Sequence, residues 1–252
     1  MGESLVSRFM PSLGGSRGTG QFTRVRWVAL PGTAGNYLSI PDSPTLSVTG
    51  DIDIRVGMVL PDWTPAADTT LASKYGIAGQ RSWGFQVLVG GRIQLYWTSN
   101  GTTALALTST GTPAITNNTA AVIRVAFDVN NGAGGRTATF YYKTTSLGAI
   151  DSEALSDTGW TLLDAATSAT ATSIFDSTTE VQLAGVLSTG IQGSFGAAVI
   201  KNGIAGTTVL TVAGQDANPD NTVSTFQART LQTVTINRNS NPTPATVVTQ
   251  SA

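Results

Sequence analysis

The chain predicts an all-β fold, a sandwich or a barrel, and three observations carry that prediction. Between Gly50 and Pro61, Ile52, Ile54, Val56, Met58 and Leu60 alternate with Asp53, Arg55 and Gly57. A period of two is the mark of a strand with one buried face. A dozen or so short runs of this kind follow, separated by Gly, Pro and Asn turn signals. Only Asp151–Ser156 has helical character, for about one turn, and no period of 20–50 residues repeats. Short strands at regular spacing with almost no helix make a sandwich or barrel.

The elements follow in order. Residues 1–24 are rich in Gly, Ser and Arg and have no period, so they read as an arm. Arg26–Leu30 is a short strand stopped by Pro31-Gly32, and Tyr37–Ile40 is another, stopped by Pro41-Asp42-Ser43-Pro44. Proline cannot donate to a central ladder, and Asp and Ser beside it favour a turn. After the strand at 52–60, Leu71–Lys74 is short. Trp83, Phe85, Val87 and Val89 then alternate toward Gly90-Gly91, and Ile93, Leu95 and Trp97 continue beyond it. A Gly-Gly pair supplies the positive φ angles of a two-residue hairpin loop. A second hairpin joins Ala121–Val129 to Arg136–Lys143 through Asn130–Gly135. Trp160–Leu163, Val181–Ala184, Gly196–Ile200, Thr207–Val212 and Thr233–Ile236 are further strands. One domain at 25–238 is expected, with 239–252, rich in Pro, Thr and Ser, as an extended tail.

Composition excludes several function classes. The 252 residues hold no cysteine and no histidine, so disulfides, thiolate metal sites and imidazole acid–base chemistry are absent. Only 12% of residues are charged, and the net charge of −1 gives no footprint for nucleic acid. No apolar run is long enough for a membrane-spanning helix, and the N-terminus lacks the features of a signal peptide.

The stretch G-N-Y-L-S-I-P-D-S-P-T-L-S-V-T-G-D-I-D-I-R-V-G-M-V-L-P-D resembles the opening of laminin-G-like, concanavalin-A-like jelly-roll domains. The likeness continues through Leu71–Tyr75, Arg81–Phe85 and Gly91–Trp97. Ser173–Thr178, Ile191–Ile200 and Asn202–Val209 resemble the closing strands of such domains in virion proteins of tailed actinobacteriophages, minor tail proteins among them. The resemblance covers about 35–238 and implies a two-sheet antiparallel jelly roll that binds carbohydrate or docks on protein. Fold alone leaves that choice open.

Candidate chemistry was sought against this background. Glycanases of this fold carry closely spaced carboxylates on one strand as nucleophile and acid. The only glutamates here are Glu3, Glu153 and Glu180, which are scattered, and Asp51 and Asp53 read as turn and surface polarity. Lys74, Lys143 and Lys201 have no partner motif, so no catalytic residue is assigned. For sugar binding, an aromatic face stacks on a pyranose while amides and charges bond its hydroxyls. Tyr96, on one face with Arg92 and Gln94, and Trp63 in its loop are the candidates. Tyr96 reads equally as a cross-strand packing residue. Trp83 and Trp97 alternate with core positions and are expected buried. Asp216, Asn218 and Asp220 offer oxygen ligands of the kind calcium takes, or an ordinary turn cluster.

The expectation is a non-enzymatic bacteriophage virion protein, tail-associated or capsid-decorating and present in many copies. An arm bearing Arg8, Arg17, Arg24 and Arg26 would attach it to other virion proteins. The displayed domain would adhere to host glycans or stabilise the particle. A free-standing lectin is the alternative, and a glycan depolymerase a third reading against which the missing carboxylates count.

Overall fold

The structure is a computed structural model, and it describes residues 24–251 except 188, 241 and 242. The strands run β1 (Arg24–Pro31), β2 (Tyr37–Ile40), β3 (Ile52–Val59), β4 (Thr69–Tyr75), β5 (Arg81–Val87) and β6 (Ile93–Thr98). Next come β7 (Ala104–Thr108), β8 (Ala120–Asp128), β9 (Arg136–Thr145), helix α1 (Ile150–Leu155) and β10 (Thr161–Ser168). The chain closes with β11 (Val181–Leu183), β12 (Gly185–Val186), β13 (Thr189–Gly190), β14 (Gln192–Asn202) and β15 (Thr207–Ala213). The last strands are β16 (Thr225–Gln227), β17 (Thr233–Asn237) and β18 (Thr246–Ser251).

Two antiparallel sheets result. One has the order β10-β9-β8-β3-β14-β1-β18, with β15 also on β14; the other has β16-β17-β2-β11-β4-β5-β6-β7. The long β14 takes β3 along one side, and β1 and β15 in succession along the other. The alternation in β3 does what it predicts: Ile52, Ile54, Val56 and Met58 enter a core with Phe127, Phe140 and Phe195 from neighbouring strands. Trp97 of the second sheet meets Phe127 of the first at 4.5 Å between ring centroids, so the two inner faces interlock there. Trp83 and Trp97 are buried as expected. The all-β, two-sheet sandwich is thus the fold.

Three expectations need correction. Residues 246–251, expected within an extended tail, do not run out as one, because β18 pairs antiparallel with β1 from Thr246 to Ser251. The buried amide of Asn36 explains the return: its Oδ1 accepts from the backbone N–H of Asn239 and of Ala245. Arg24 and Arg26 are likewise not part of an arm. They belong to β1, where Arg26 Nη1 donates to the carbonyl of Ala217 at 2.8 Å. Arg8 and Arg17 lie outside the described residues. The first hairpin has three loop residues rather than two, because Leu88 N–H bonds to Arg92 C=O at 2.7 Å. Gly90 and Gly91 still take positive φ, at 78° and 92°, and Val89 is left at the exposed tip rather than on the core face.

On the outer face of the second sheet Gln86, Gln94, Tyr96 and Thr108 stay half-buried, while Ser73 is covered by Gly185. The first sheet instead carries α1 on its outer face, over Val122, Ala197 and Val199. Gly57 makes that approach feasible, since a Cβ there would lie 2.6 Å from Ile150 Cγ1. Under the same cover lie Asp53 and Arg55, fully buried although they point away from the core. The expected role of Asp53 as surface polarity is therefore wrong: α1 and the turn after it turn that surface into an interior.

Candidate functional site

On the outer face of β4–β7 the sequence alternation places polar side chains in register. Gln86 of β5 stands opposite Gln94 of β6, and Gln94 opposite Thr108 of β7. Gln86 Nε2 donates to Gln94 Oε1 at 2.8 Å, and Gln94 Nε2 donates to Thr108 Oγ1 at 2.8 Å. Thr70 Oγ1 of β4 donates to Gln86 Oε1 at 3.4 Å, completing a polar rung across four strands. Beside it Tyr96 reaches over Gly84, where any Cβ would overlap the phenol ring. The Tyr96 hydroxyl shares a hydrogen bond with Thr70, and burial pushes the phenol up to about 12. Tyr75 stands edge-on to Tyr96, 5.0 Å between centroids, with the Arg81 guanidinium over its ring at 5.5 Å.

This arrangement pairs an aromatic platform with amide and hydroxyl groups that hydrogen-bond one another. Each side-chain amide keeps some donor or acceptor capacity for an incoming hydroxyl. Tyr96 and Gln94 are therefore brought together, as their parity implies. Arg92 is exposed at the hairpin end, next to the first residue of β6. Trp63 does not belong to the site. It is 1% exposed, its indole N–H donating to Thr119 C=O, and so it packs the end of the core. A Trp in a Pro-bounded loop looked available, but the loop folds inward.

Thr70, Thr108 and three further members of the face were not singled out from sequence. Gln86 and Gly84 were legible, since they alternate with Trp83 and Phe85. Tyr75 was not, because the pairing of β4 with β5 shifts between Thr70 and Ala72, which moves the outer face of β4 from Thr70 onto Ser73 and Tyr75. Such a bulge resets the alternation.

The remaining charged candidates are engaged elsewhere. Asp53 meets Arg55 at 3.0 Å and Arg124 at 2.8 Å. Arg55, Arg124 and Lys143 all lie over the Trp160 ring, Lys143 Nζ at 4.3 Å from its centroid. Asp157 closes the group by accepting from Lys201 at 2.8 Å and from Arg55, and these bonds hold its carboxyl down to about 2. Asp51 Oδ1 accepts from the Val129 N–H at 2.9 Å. Lys143 pairs with Glu153, and Glu180 accepts from Gln182. The lysines thus have carboxylate partners that no sequence motif announced.

The three oxygen-ligand candidates act separately. Asp216 is held by Arg229 at 2.8 Å, Asn218 Oδ1 accepts from the Asp220 N–H, and Asp220 Oδ1 accepts from Thr222. They form a turn cluster whose one ion pair is already satisfied. Among the described residues no helix is long and apolar enough to cross a membrane.

No family profile matches the chain. No curated protein matches its sequence. Solved structures do match in fold. A Bacteroides ovatus protein assigned to carbohydrate binding aligns over 90% of this chain and 60% of its own, with 8% identity and a TM-score of 0.54. The Ruminococcus gnavus IT-sialidase CBM40 bound to α2,3-sialyllactose aligns over 69% and 88%, at 10% identity and a TM-score of 0.45. Domains LG4-5 of the mouse laminin α1 chain align over 69% and 40%, at 10% identity and a TM-score of 0.46. The chain spans 60% of the Bacteroides chain and 40% of the laminin chain it matches. At 8% identity the likeness to the Bacteroides protein speaks for the two-sheet architecture alone.

Proposed function

We propose that the chain is a non-enzymatic, lectin-like module that binds glycans on the outer face of β4–β7. The observation that carries this is the Tyr96 ring laid over Gly84 beside the Thr70–Gln86–Gln94–Thr108 rung. An aromatic face with flanking amides is the chemistry that takes a pyranose, apolar on one side and hydroxylated around its rim. The carbohydrate-binding role assigned to the Bacteroides ovatus protein of the same fold is in keeping with this reading. Catalysis is disfavoured because Asp53, Glu153 and Asp157 are committed to Arg and Lys partners.

The setting we propose is a bacteriophage virion, with the module displayed on tail or capsid. Support comes from the resemblance of 173–178, 191–200 and 202–209 to closing strands of phage virion proteins, and from the low charge content. Attachment would fall to residues 1–23, with Arg8 and Arg17 facing acidic patches on neighbouring virion proteins. The module would then be multi-copy.

A glycan array with the purified chain tests the binding reading. We expect selective signals that Tyr96→Ala abolishes while the thermal melt stays cooperative. Silence across a broad array, or signals indifferent to Tyr96→Ala and Gln94→Ala, would reject it. For the setting, removal of residues 1–22 should leave the fold intact and prevent incorporation into particles. Normal incorporation of the truncated chain would reject the arm.

A further inference from the structure

The end of the sandwich holds a lysine in an unusual relation to two carboxylates. In β4, Ser73 bonds outward to the Gly185 carbonyl, and the next residue, Lys74, stands opposite the core residue Trp83. Its side chain is 1% exposed. Nζ lies 2.8 Å from Asp42 Oδ1, 3.8 Å from Asp176 Oδ1 and 3.2 Å from the Leu46 carbonyl to which it donates. The contact with Asp42 lacks hydrogen-bond geometry: Oδ1 is enclosed and makes no hydrogen bond. The other described lysines behave differently. Lys143 hydrogen-bonds Glu153 Oε2 at 3.1 Å, and Lys201 hydrogen-bonds Asp157 Oδ1 at 2.8 Å.

We propose that Lys74 and Asp42 condense into an intramolecular amide cross-link, with Asp176 relaying the proton. A lysine amine is a competent nucleophile once its proton is taken. Held within van der Waals contact of a carboxyl group, an amine gains an effective molarity of about 10⁵ M or more. The step balances without any oxidant or co-reactant. Asp176 takes a proton from the ammonium, and the freed amine attacks Asp42 Cγ. The Nζ–Cγ bond forms as a Cγ–O bond breaks. The departing oxygen leaves as water with two protons that began on the ammonium, one of them delivered by Asp176. The amide retains the third.

The bond would have a mechanical consequence. Asp42 follows β2, Lys74 is in β4, and these strands flank β11 without pairing with each other. An amide between them would staple β2 to β4 across β11, closing a loop that the unfolded chain could not open.

Intact-mass spectrometry of the full-length protein decides the matter. We expect a mass one water below that of the sequence. Denaturing tryptic digestion should join peptide 27–55 to peptide 56–81, because an acylated Lys74 is not cleaved. Asp42→Ala and Asp176→Asn should restore the full mass. A wild-type protein at the full sequence mass overturns the proposal. So does a water loss that maps elsewhere or survives Asp42→Ala.

Discussion

Tyr96 crosses from β6 over Gly84 of β5, filling the space where any other residue would carry its Cβ. The pair accounts for both the flat polar face and the placement of its aromatic ring. Gly84→Val should push the ring outward and leave its hydroxyl without Thr70. Displacing a packed ring costs about 1–3 kcal/mol. A lowered melting temperature together with lost glycan binding is the expected outcome. Unchanged binding would place the ligand elsewhere.

The same phenol gives a spectroscopic readout. Its ionisation is pushed up to about 12, with burial as the main cause. A raised value means that the folded state holds its proton longer than the unfolded state. The stability this confers is complete below the ordinary tyrosine range, near 10, and is lost as pH rises toward 12. Ultraviolet titration should show one tyrosine ionising later than the rest, and Tyr96→Phe should remove that late phase.

Asp157 gives the opposite signature. Lys201 first, and Arg55 second, hold its carboxyl down to about 2. Its stabilising contribution is therefore present above the ordinary carboxylate range, near pH 4, and is lost as pH falls through about 2. The side chain is 66% exposed, so the contribution is small and screened by salt. Wild type should lose more stability than Asp157→Asn between pH 4 and pH 2 in low salt, measured by urea melts. Parallel curves would contradict the pairing.

Asp53 and Arg55 are both fully buried beneath α1. Breaking such a pair leaves a lone buried charge and costs about 3–5 kcal/mol. Arg55→Ala should fall short of that loss in chemical denaturation, because Asp53 keeps Arg124. Replacing Asp53, Arg55 and Arg124 together by apolar residues should leave no unpaired buried charge, since Asp157 retains Lys201, and should cost less than removing Asp53 alone.

The C-terminal strand is part of the sandwich. Removing residues 244–252 strips β18 from β1, exposes the sites of Ala245 and Val247, and takes one N–H from Asn36. Val247 alone is worth about 1.5–3 kcal/mol of burial. Melting of the truncated chain should fall by several degrees or more, and a melt identical to wild type would refute the assignment.

The sequence alone determined most of the strands, though not β7, β16 or β18, because side-chain alternation is a local property of the backbone. Ile52–Leu60, the two hairpins and the single helical turn at 151–156 were all legible, as was the burial of Trp83 and Trp97. Parity also placed Gln94 with Tyr96. Tertiary structure decided what no local period encodes. It folded Trp63 inward, turned Asp53 and Arg55 into interior by laying α1 over them, and returned 246–251 to the sheet beside Asn36. It also shifted Tyr75 onto the outer face by a bulge. In each case the deciding contact joins residues far apart in the chain, and a pattern read over a few residues has no access to it.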